Sequence, residues 1–390
     1  MTILKPLFLL LFFLLPLGQL ERIPLANPQI GFYTHDIVIG IIVFYWLAGK
    51  LIKKQKITLG KLGKYIFLFW LIALFSFLIN SLGKNVNEIA VAFLYLARWI
   101  IYAGLYFVLI NKKITSLFHF PIVSLLIYMG FAFAVFGLIQ YFAFPDIRPL
   151  AIYQWDPHFY RLVGTLLEPG FIGLILVLTM ILINGGRQAR FINYFLLVII
   201  YLAFVLTYSR SAYLAFIAAI TAIGYFKKSL KFFLIALCIF ILTILVLPRP
   251  AGEGVKLERQ ASIYSRLESW HQGLQVFRKN PFLGIGFNYY RYEARDFGFL
   301  PDKWQVSHAG AGVDNSFIFI LATTGIIGFI FYLNMFYKIT IYALSKKQKT
   351  KIIIIASLSA IIIHAFFNNT LFYPWVMIWF WIFCAAMEYS

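Results

Sequence analysis

The sequence predicts an all-α polytopic membrane protein with about twelve transmembrane helices and a long, partly helical outer loop. Of its 390 residues, 62% are hydrophobic and 12% are charged, against roughly 45–50% and about 25% in soluble domains. A soluble protein could not cover its surface with so few polar groups. A disordered chain is also excluded, because disorder requires low hydrophobicity.

Apolar segments long enough to cross a bilayer recur along the whole chain. A hydrocarbon core of ~30 Å requires about 20 mostly apolar residues per helix. The alternating segments of ~10 residues that are typical of membrane strands are absent. Residues 1–20 are interpreted as a first span rather than a signal peptide, because their charged start is only Lys5 and no A-x-A cleavage site follows. We expect spans near 4–20, 34–52, 65–82, 88–110, 117–143, 168–184, 191–208, 210–227, 229–247, 313–338, 351–368 and 370–389.

The net charge of +20 often indicates a nucleic-acid partner, but its distribution here indicates membrane orientation. Lys5 and the even-numbered connections carry 19 of the 34 basic residues and one acid, Glu388. Short loops rich in Lys and Arg stay in the cytoplasm. We therefore expect a multi-pass protein of the cytoplasmic (inner) membrane with both termini in the cytoplasm, contacts to membrane lipids and no nucleic-acid partner.

Two of the expected outer loops, residues 144–167 and 248–312, are longer than a connector needs. We expect residues 1–390 to form a single integral membrane domain, with 248–312 as a long extracytoplasmic loop between spans nine and ten. Within that loop, an apolar residue recurs every three or four positions, which predicts an amphipathic helix on the membrane or on the bundle. The residues of this pattern are Ile263, Leu267, Trp270, Leu274 and Phe277.

Two classes of site are disfavoured by missing motifs. The chain has no G-x-x-x-x-G-K-[ST] sequence, so it is not expected to hydrolyse ATP. It also has no H-x-x-x-H or C-x-x-C pair, and its two cysteines lie within predicted spans. We therefore expect no disulfide, no metal site and no cofactor.

Arginines and acids at the outer mouths of the spans are the candidate functional residues. Arg210 lies in the turn between spans seven and eight, and Arg161 and Glu168 lead into span six. Arg266 and Trp270 belong to the amphipathic segment. Each has a structural alternative: an arginine can reach toward lipid headgroups, and an acid before a helix suits its N-terminus.

A further group precedes span ten, where His308, Asp314 and Asn315 lie within eight residues. Asp-Asn-Ser is good N-cap chemistry, but an acid beside an amide also suits the deprotonation and orientation of a hydroxyl group. Arginines recognise diphosphates by bidentate contacts. The combined outer set therefore favours glycosyl transfer from a lipid diphosphate, although the pattern alone leaves the structural alternatives open.

At this point the motifs resemble the O-antigen ligase/O-antigen polymerase superfamily of bacterial envelope proteins. The resemblance covers about the last 230 residues, and the first 150 match only in being membrane helices. The T-x-S-R element followed by the S-R…W…N-P-x-x-G-x-G loop is its most specific part. The matching stretches are RLVGTLLEPGFIG (161–173), LTYSRSAYLAF (206–216), SRLESWHQGLQVFRKNPFLGIGFN (265–288), VDNSFIFILATTGIIGFIFY (313–332) and FNNTLFYPW (367–375).

The resemblance implies a metal-independent glycosyltransferase at the periplasmic or extracellular face. Its donor is an undecaprenyl-diphosphate-linked glycan, which is transferred to an acceptor hydroxyl with loss of the lipid diphosphate. The family's diphosphate-binding arginines map onto Arg210 and Arg266, and we expect Arg161 to share this role. Asp314 is the candidate base, with Glu168 second. A chain-length regulator protein is a further expected partner.

The acceptor decides between the functions that this resemblance allows. The ligase branch typically has a His-Asn pair where this chain has Asp314 and Asn315, and His308 lies six residues earlier. The Asp-Asn-Ser form looks more like repeat-unit polymerases, whose acceptor is another lipid-linked glycan. We expect Asn315, Trp270 and His308 to contact the acceptor or glycan.

Two alternatives to a polymerase stay open at this stage. The first is a ligase that transfers a finished glycan to lipid A core or, as a protein O-oligosaccharyltransferase, to a Ser or Thr. The second is a lipid-linked-sugar flippase or transporter. A transporter would place ionisable residues near the bilayer midplane, whereas most of those in this chain lie at the outer rim.

Overall fold

The computed structural model describes residues 3–111, 122–153, 155–185, 190–250, 252–305 and 308–389, and nearly all of its regular structure is helical. The helices are α1 (Leu4–Leu14), α2 (Thr34–Ile52), α3 (Gly63–Ser81), α4 (Val86–Asn111), α5 (Ile122–Ala143), α6 (Pro169–Gly185), α7 (Arg190–Val205), α8 (Arg210–Phe226), α9 (Leu230–Val246), α10 (Ala261–Lys279), α11 (Tyr290–Asp296), α12 (Ser316–Leu344), α13 (Gln348–Ala365) and α14 (Pro374–Met387). Two strands, β1 (Arg22–Ile23) and β2 (Phe32–Tyr33), form an antiparallel pair. Short 3-10 segments cover Leu15–Glu21, Arg148–Tyr153, Gly164–Leu166, Glu253–Val255, His308–Ala311 and Thr370–Phe372.

The predicted class, an all-α polytopic membrane protein, is confirmed. Within the described residues, seven helices are long and apolar enough to cross a membrane, with α1 counted together with its 3-10 continuation. Five shorter apolar helices are α6, α7, α8, α9 and α14. These twelve segments coincide with the twelve predicted spans. The start of predicted span five and the basic residues Lys112, Lys113 and Arg187 lie outside the described residues.

The connections predicted to face outward meet at one end of the bundle, which we call the loop face. The indole Nε1 of Trp375 donates to Leu15 O at 2.9 Å, and Thr165 Oγ1 donates to Pro16 O at 2.7 Å. These bonds join the N-terminal segment, the start of α6 and the start of α14. The loop face comprises the described residues within the ranges 15–33, 82–85, 144–168, 206–210, 247–315 and 366–373.

The opposite end is organised by Glu388, the one acid among its many lysines. Its Oε1 accepts hydrogen bonds from Tyr106 Oη at 2.6 Å and from the amide of Lys61 at 2.9 Å. Tyr342 Oη donates to Oε2 at 3.3 Å. The acid therefore holds the basic connection between α2 and α3 against the end of the last helix.

A break in α12 anchors the long loop to the bundle. Gly325 interrupts the helix with φ 65° and ψ −173°, a conformation that is essentially restricted to glycine. The segment 281–286 crosses the break and replaces the missing helical hydrogen bonds. The amide of Ile285 donates to Ala322 O at 3.0 Å, and the amide of Ile326 donates to Pro281 O at 2.9 Å. The contact between residues 281–286 and the break in α12 sets the position of α10, which ends just before residue 281.

The amphipathic segment is helical as predicted, but its packing face differs from the predicted stripe. Gly273 and Val276 are the buried residues of α10. The helix approaches α12 closely at Gly273, where a Cβ would lie 2.7 Å from Ile318 Cγ2, so only glycine permits this approach. Trp270 is half-buried, whereas Ile263 and Leu267 are exposed. Leu274 is exposed as well, so three of the five residues of the predicted apolar stripe face away from the protein.

Arg98, an arginine in the middle of α4, has a structural partner. Its Nε and Nη2 donate to both carboxylate oxygens of Asp36 at 2.8 and 2.7 Å, and Tyr102 Oη donates to Asp36 Oδ1 at 2.5 Å. Charges inside a membrane bundle persist when they are paired and hydrogen-bonded. This pair joins α2 to α4 and leaves Arg98 outside the candidate site.

Candidate functional site

The predicted site residues come together on the loop face, where the starts of α6, α8, α10 and α12 converge with the turn after α13. The helices bring the sequence-distant motifs within hydrogen-bonding reach of one another.

Arg161 is buried, with 7% of its surface exposed, and it is held by the turn before α8. Its Nε donates to Thr207 O at 3.1 Å and its Nη2 donates to Tyr208 O at 3.2 Å. Burial lowers the pKa of Arg161 to about 10, with repulsion from Arg259 as the next cause. Arg161 still carries its charge at neutral pH and links the loop before α6 to the start of α8.

Arg210, the first residue of α8, binds the long loop directly. Its Nη1 donates to the carbonyl oxygens of Leu257 at 3.2 Å and Arg259 at 2.9 Å, and its Nη2 donates to Ser262 Oγ. Ser209 caps the helix by accepting a hydrogen bond from the amide of Ala212. Part of the guanidinium is therefore used to fix the segment that leads into α10.

Arg266 and Trp270 lie one turn apart on α10 and face the other two motifs. Arg266 Nε donates to Phe367 O at 3.0 Å in the turn after α13. Trp270 Nε1 donates to Asp314 O at 3.0 Å, and the amide of Asp314 donates to Ser269 Oγ at 3.0 Å. The packing of α10 against the start of α12 thus places Arg266 beside Asp314.

Arg259 is a fourth member of this group that no sequence motif marked. Its Nη1 donates to Gly254 O at 2.8 Å and Lys256 O at 2.7 Å. Burial lowers the pKa of Arg259 to about 10, with Arg210 and Arg266 adding repulsion. Within the described part of the chain, Arg161, Arg210, Arg259 and Arg266 form no ion pair with a carboxylate within 4 Å.

Glu168 lies immediately before α6, on the side of the cluster near Arg161. Its Oε1 accepts a hydrogen bond from the amide of Gly170 at 3.1 Å. Burial raises the pKa of Glu168 to about 7, with Asp156 adding to the shift and Arg161 opposing it. Sequence reasoning had singled out neither Asp156 nor its neighbour His158, whose pKa burial lowers to about 3.

Asp314 and Asn315 have different surroundings although they are adjacent. Asn315 is 3% exposed, and its Oδ1 accepts from the amides of Phe317 at 2.9 Å and Ile318 at 3.1 Å as the N-cap of α12. Asp314 is exposed to solvent, but the surrounding protein raises the pKa of its carboxyl, with Arg266 opposing that shift. The cap role therefore belongs to Asn315, and the Asp314 carboxyl stays open to a ligand.

His308, the remaining predicted residue, begins the 3-10 turn before Asp314. Its side chain lies outside the part of the chain that the structure describes. The turn after α13 is described fully, and there the ring nitrogen Nδ1 of His364 and the hydroxyl of Thr370 are 2.7 Å apart. This contact, with the bond from Ser316 Oγ to Asn368 O at 3.1 Å, fixes the turn whose Phe367 carbonyl binds Arg266.

An apolar cavity of about 380 Å³ opens between α8 and α9, and Arg210 is the one arginine of the group that lines it. Arg210 and Leu257 lie at one end of the cavity, and aliphatic or aromatic side chains form its remaining walls. The lining residues are Arg210, Tyr213, Leu214, Ile217, Phe240, Ile241, Ile244, Leu245 and Leu257. This arrangement can accept a hydrocarbon chain whose anionic head lies at Arg210.

Comparison with known families bears on residues 195–333, which match the family model described as O-antigen ligase. This segment is similar to that family over its whole matched length. The match supports the O-antigen ligase/polymerase superfamily that the motifs predicted. None of the curated proteins matches the chain.

The matched segment, residues 195–333, contributes only part of the candidate site. It contains Arg210, Arg259, Arg266, Trp270 and Asp314. The acids and histidine of the 156–168 segment and the turn at 366–370 lie outside the matched range. The hydrogen bonds from Arg161 to the turn before α8 and from Arg266 to Phe367 connect these outside segments to the matched segment.

Proposed function

We propose that this protein is a glycosyltransferase that polymerises undecaprenyl-diphosphate-linked oligosaccharide repeat units into O-antigen, capsule or exopolysaccharide. The observation that carries the proposal is the group of four arginines, unpaired with carboxylates among the described residues, one of which, Arg210, lines an apolar cavity. Like charges gathered at one place are unfavourable unless an anion joins them. A lipid diphosphate supplies both the anion and the hydrocarbon chain.

In this proposal the arginines stabilise the leaving group. The bond between the glycan's anomeric carbon and the diphosphate oxygen breaks, and its electron pair stays on the diphosphate. Positive charge aimed at that oxygen lowers the barrier because the negative charge develops in the transition state. Arg266 has nitrogen donors left to offer, since its hydrogen bond to the described part of the chain uses only Nε. Arg210, Arg161 and Arg259 supply charge while they also hold the loops.

Asp314 is the proposed general base. The acceptor hydroxyl donates its proton to the Asp314 carboxylate while its oxygen forms the new bond to the anomeric carbon. Asp314 is open to solvent, and Trp270 and Ser269 fix its backbone. Glu168 is the second candidate for this role. Trp270, Asn315 and His308 are proposed to contact the glycan or acceptor.

The test uses the purified protein and one lipid-linked repeat unit as the only glycan substrate. A polymerase converts it into a ladder of lipid-linked products of regular spacing, because donor and acceptor are the same molecule. Product formation in detergent, where no compartments exist, also excludes a flippase. If no ladder forms and the glycan moves only to a different acceptor, the polymerase assignment is wrong.

The second candidate is a ligase or a protein O-oligosaccharyltransferase, and the family match supports ligase and polymerase activity alike. The model that matches residues 195–333 is described as O-antigen ligase. Supplying lipid A core or a Ser/Thr-bearing acceptor peptide beside the lipid-linked glycan separates the two candidates. We further propose that the reaction takes place on the periplasmic or extracellular side of the cytoplasmic membrane, with a chain-length regulator protein as a partner. Cysteine labelling of the loop face in intact cells tests on which side of the membrane the reaction takes place.

A further inference from the structure

Beside the arginines, the fold brings three side chains able to bind a metal into one small cluster. Asp156, His158 and Glu168 each place one ligand atom within 4.8 Å of those of the other two. The spacing of two and ten residues matches no common metal motif, so the fold creates the cluster. Glu168 reaches it from the start of α6, and the other two come from the loop between α5 and α6.

His158 is an independent sign that this cluster has a ligand. The residue is 8% exposed, and its Nε2 is buried with no hydrogen-bond partner among the described residues. Buried polar nitrogens are nearly always satisfied, by protein, water or an ion. A ligand in the cluster gives this imidazole a partner.

The loop that carries His158 is held in a defined conformation. The amide of Ile147 donates to His158 O at 3.1 Å, and the amide of Tyr160 donates to Pro145 O at 2.9 Å. Asp146 and Phe159 form an antiparallel bridge. These bonds fix the backbone on both sides of the imidazole.

The two acids leave room for an ion. The hydrogen bond from Gly170 N to Glu168 uses one carboxylate oxygen, Oε1, and a carboxylate has two acceptor oxygens. Asp156 is exposed to solvent, so hydrated ions have access from that side. Protein ligands bind such ions at about 2.0–2.2 Å, which places ligand atoms about 3–4 Å apart. Side-chain rotations that move the ligand atoms by about an ångström bring their spacing of up to 4.8 Å into this range.

We propose that Asp156, His158 and Glu168 form a binding site for a divalent transition-metal cation of the Mn²⁺ or Zn²⁺ type. Mixed imidazole and carboxylate ligands suit these ions better than Mg²⁺ or Ca²⁺, which prefer oxygen alone. Two carboxylates neutralise a divalent ion, and this compensation is required because Arg161 and Arg259 also face the cluster. Water fills the remaining coordination positions.

The ion would tie the loop between α5 and α6 to the start of α6, next to the arginine cluster. It engages the Glu168 carboxylate and leaves Asp314 as the base. The site is independent of the proposed transfer reaction, because it is defined by ion binding and no step of that reaction passes through it. A metal-free transfer step, as the resemblance implies, is compatible with a bound structural ion.

The test measures Mn²⁺ binding to the full-length protein, purified in detergent without a histidine tag and stripped with a chelator. Calorimetry should show one equivalent bound, and pulsed EPR should show nitrogen coupling from a directly bound imidazole. His158→Ala and Asp156→Asn should each weaken binding at least tenfold. Because Asp156 is exposed, its substitution by Asn leaves the fold intact even if the histidine variant misfolds.

The matched control is His271→Ala, which removes an exposed histidine on α10 that contacts Gln275. This variant should bind Mn²⁺ as the parent protein does. The proposal is overturned if the parent binds no Mn²⁺, if its EPR spectrum lacks nitrogen coupling, or if Asp156→Asn binds as tightly as the parent. None of these outcomes depends on whether the protein transfers glycans.

Discussion

Replacing Arg266 by alanine is the sharpest test of the arginine cluster. Among the described residues, Arg266 makes one hydrogen bond within the protein, from Nε to Phe367 O, and it lies on a helix whose buried contacts are made by Gly273 and Val276. Its loss should therefore leave the fold intact. The remaining nitrogens of Arg266 are proposed to bind the donor diphosphate, and the alanine variant loses that interaction entirely.

The magnitude follows from the number of bonds that are lost. A hydrogen bond to a charged group contributes about 1.5–3 kcal/mol, and loss of one or two such bonds raises the barrier by about 1.5–6 kcal/mol. Since 1.4 kcal/mol is tenfold in rate, kcat/KM for the lipid-linked donor should fall at least roughly tenfold, and by roughly 100-fold or more if two bonds are lost. Arg266→Lys keeps the charge but not the planar fork, so its activity should be intermediate.

The assay follows initial rates of product formation over a range of donor concentrations, with thermal unfolding as a check on folding. Arg278→Ala is the matched control, because Arg278 is an exposed arginine near the end of the same helix. It should keep the parent activity. If Arg266→Ala folds and retains more than a third of the parent kcat/KM, the assignment of Arg266 to the diphosphate is refuted.

Four further substitutions test other parts of the site and fold. Arg210→Ala should abolish transfer. It should also lower the unfolding temperature, because it removes three hydrogen bonds to the loop before α10 and to the first turn of α10, and each of these contributes about 1 kcal/mol to stability. Unchanged activity would contradict the proposed role of Arg210. Arg259→Ala should reduce kcat/KM at least tenfold, which donor titration would measure. Asp314→Asn should abolish transfer if Asp314 is the base, and the parent activity should fall on acidification through a pKa above the usual aspartate value; an active Asn variant would exclude that role. Gly325→Ala should destabilise the fold by at least about 1–3 kcal/mol, because the alanine Cβ would lie 2.2 Å from Phe282 O. Gly40→Ala is the control and should not destabilise the fold, because a Cβ there would have nothing within 4 Å. Equal unfolding temperatures for the two variants would contradict the packing of residues 281–286 against the break in α12.

The local parts of the fold were predictable because they depend on local composition. The apolar segments became helices at the expected places, and α10 ends at Lys279 before Asn280 and Pro281 as its sequence indicates. Its packing face was not predictable from periodicity alone. The buried contact uses Gly273, and a glycine adds nothing to an apolar stripe even where it permits the closest approach.

The role of residues 284–286 shows a second limit of the sequence. The G-I-G turn has no value as a nucleotide motif, and its meaning depends on the break at Gly325 some forty residues later. The amides of the turn bond to carbonyls that the broken helix leaves free. No pattern within either segment identifies the other as its partner.

The sequence by itself determined where the apolar helices lie and which side-chain types gather at their ends. Hydrophobicity over about 20 residues and the positions of charges are properties of short segments, so they need no knowledge of the fold. The tertiary structure alone decided which polar groups meet. It added Arg259 to the arginines, made Asn315 the cap and left the Asp314 carboxyl open, and assembled Asp156, His158 and Glu168. These relations arise from hydrogen bonds and packing between distant segments, which depend on how the helices pack in three dimensions.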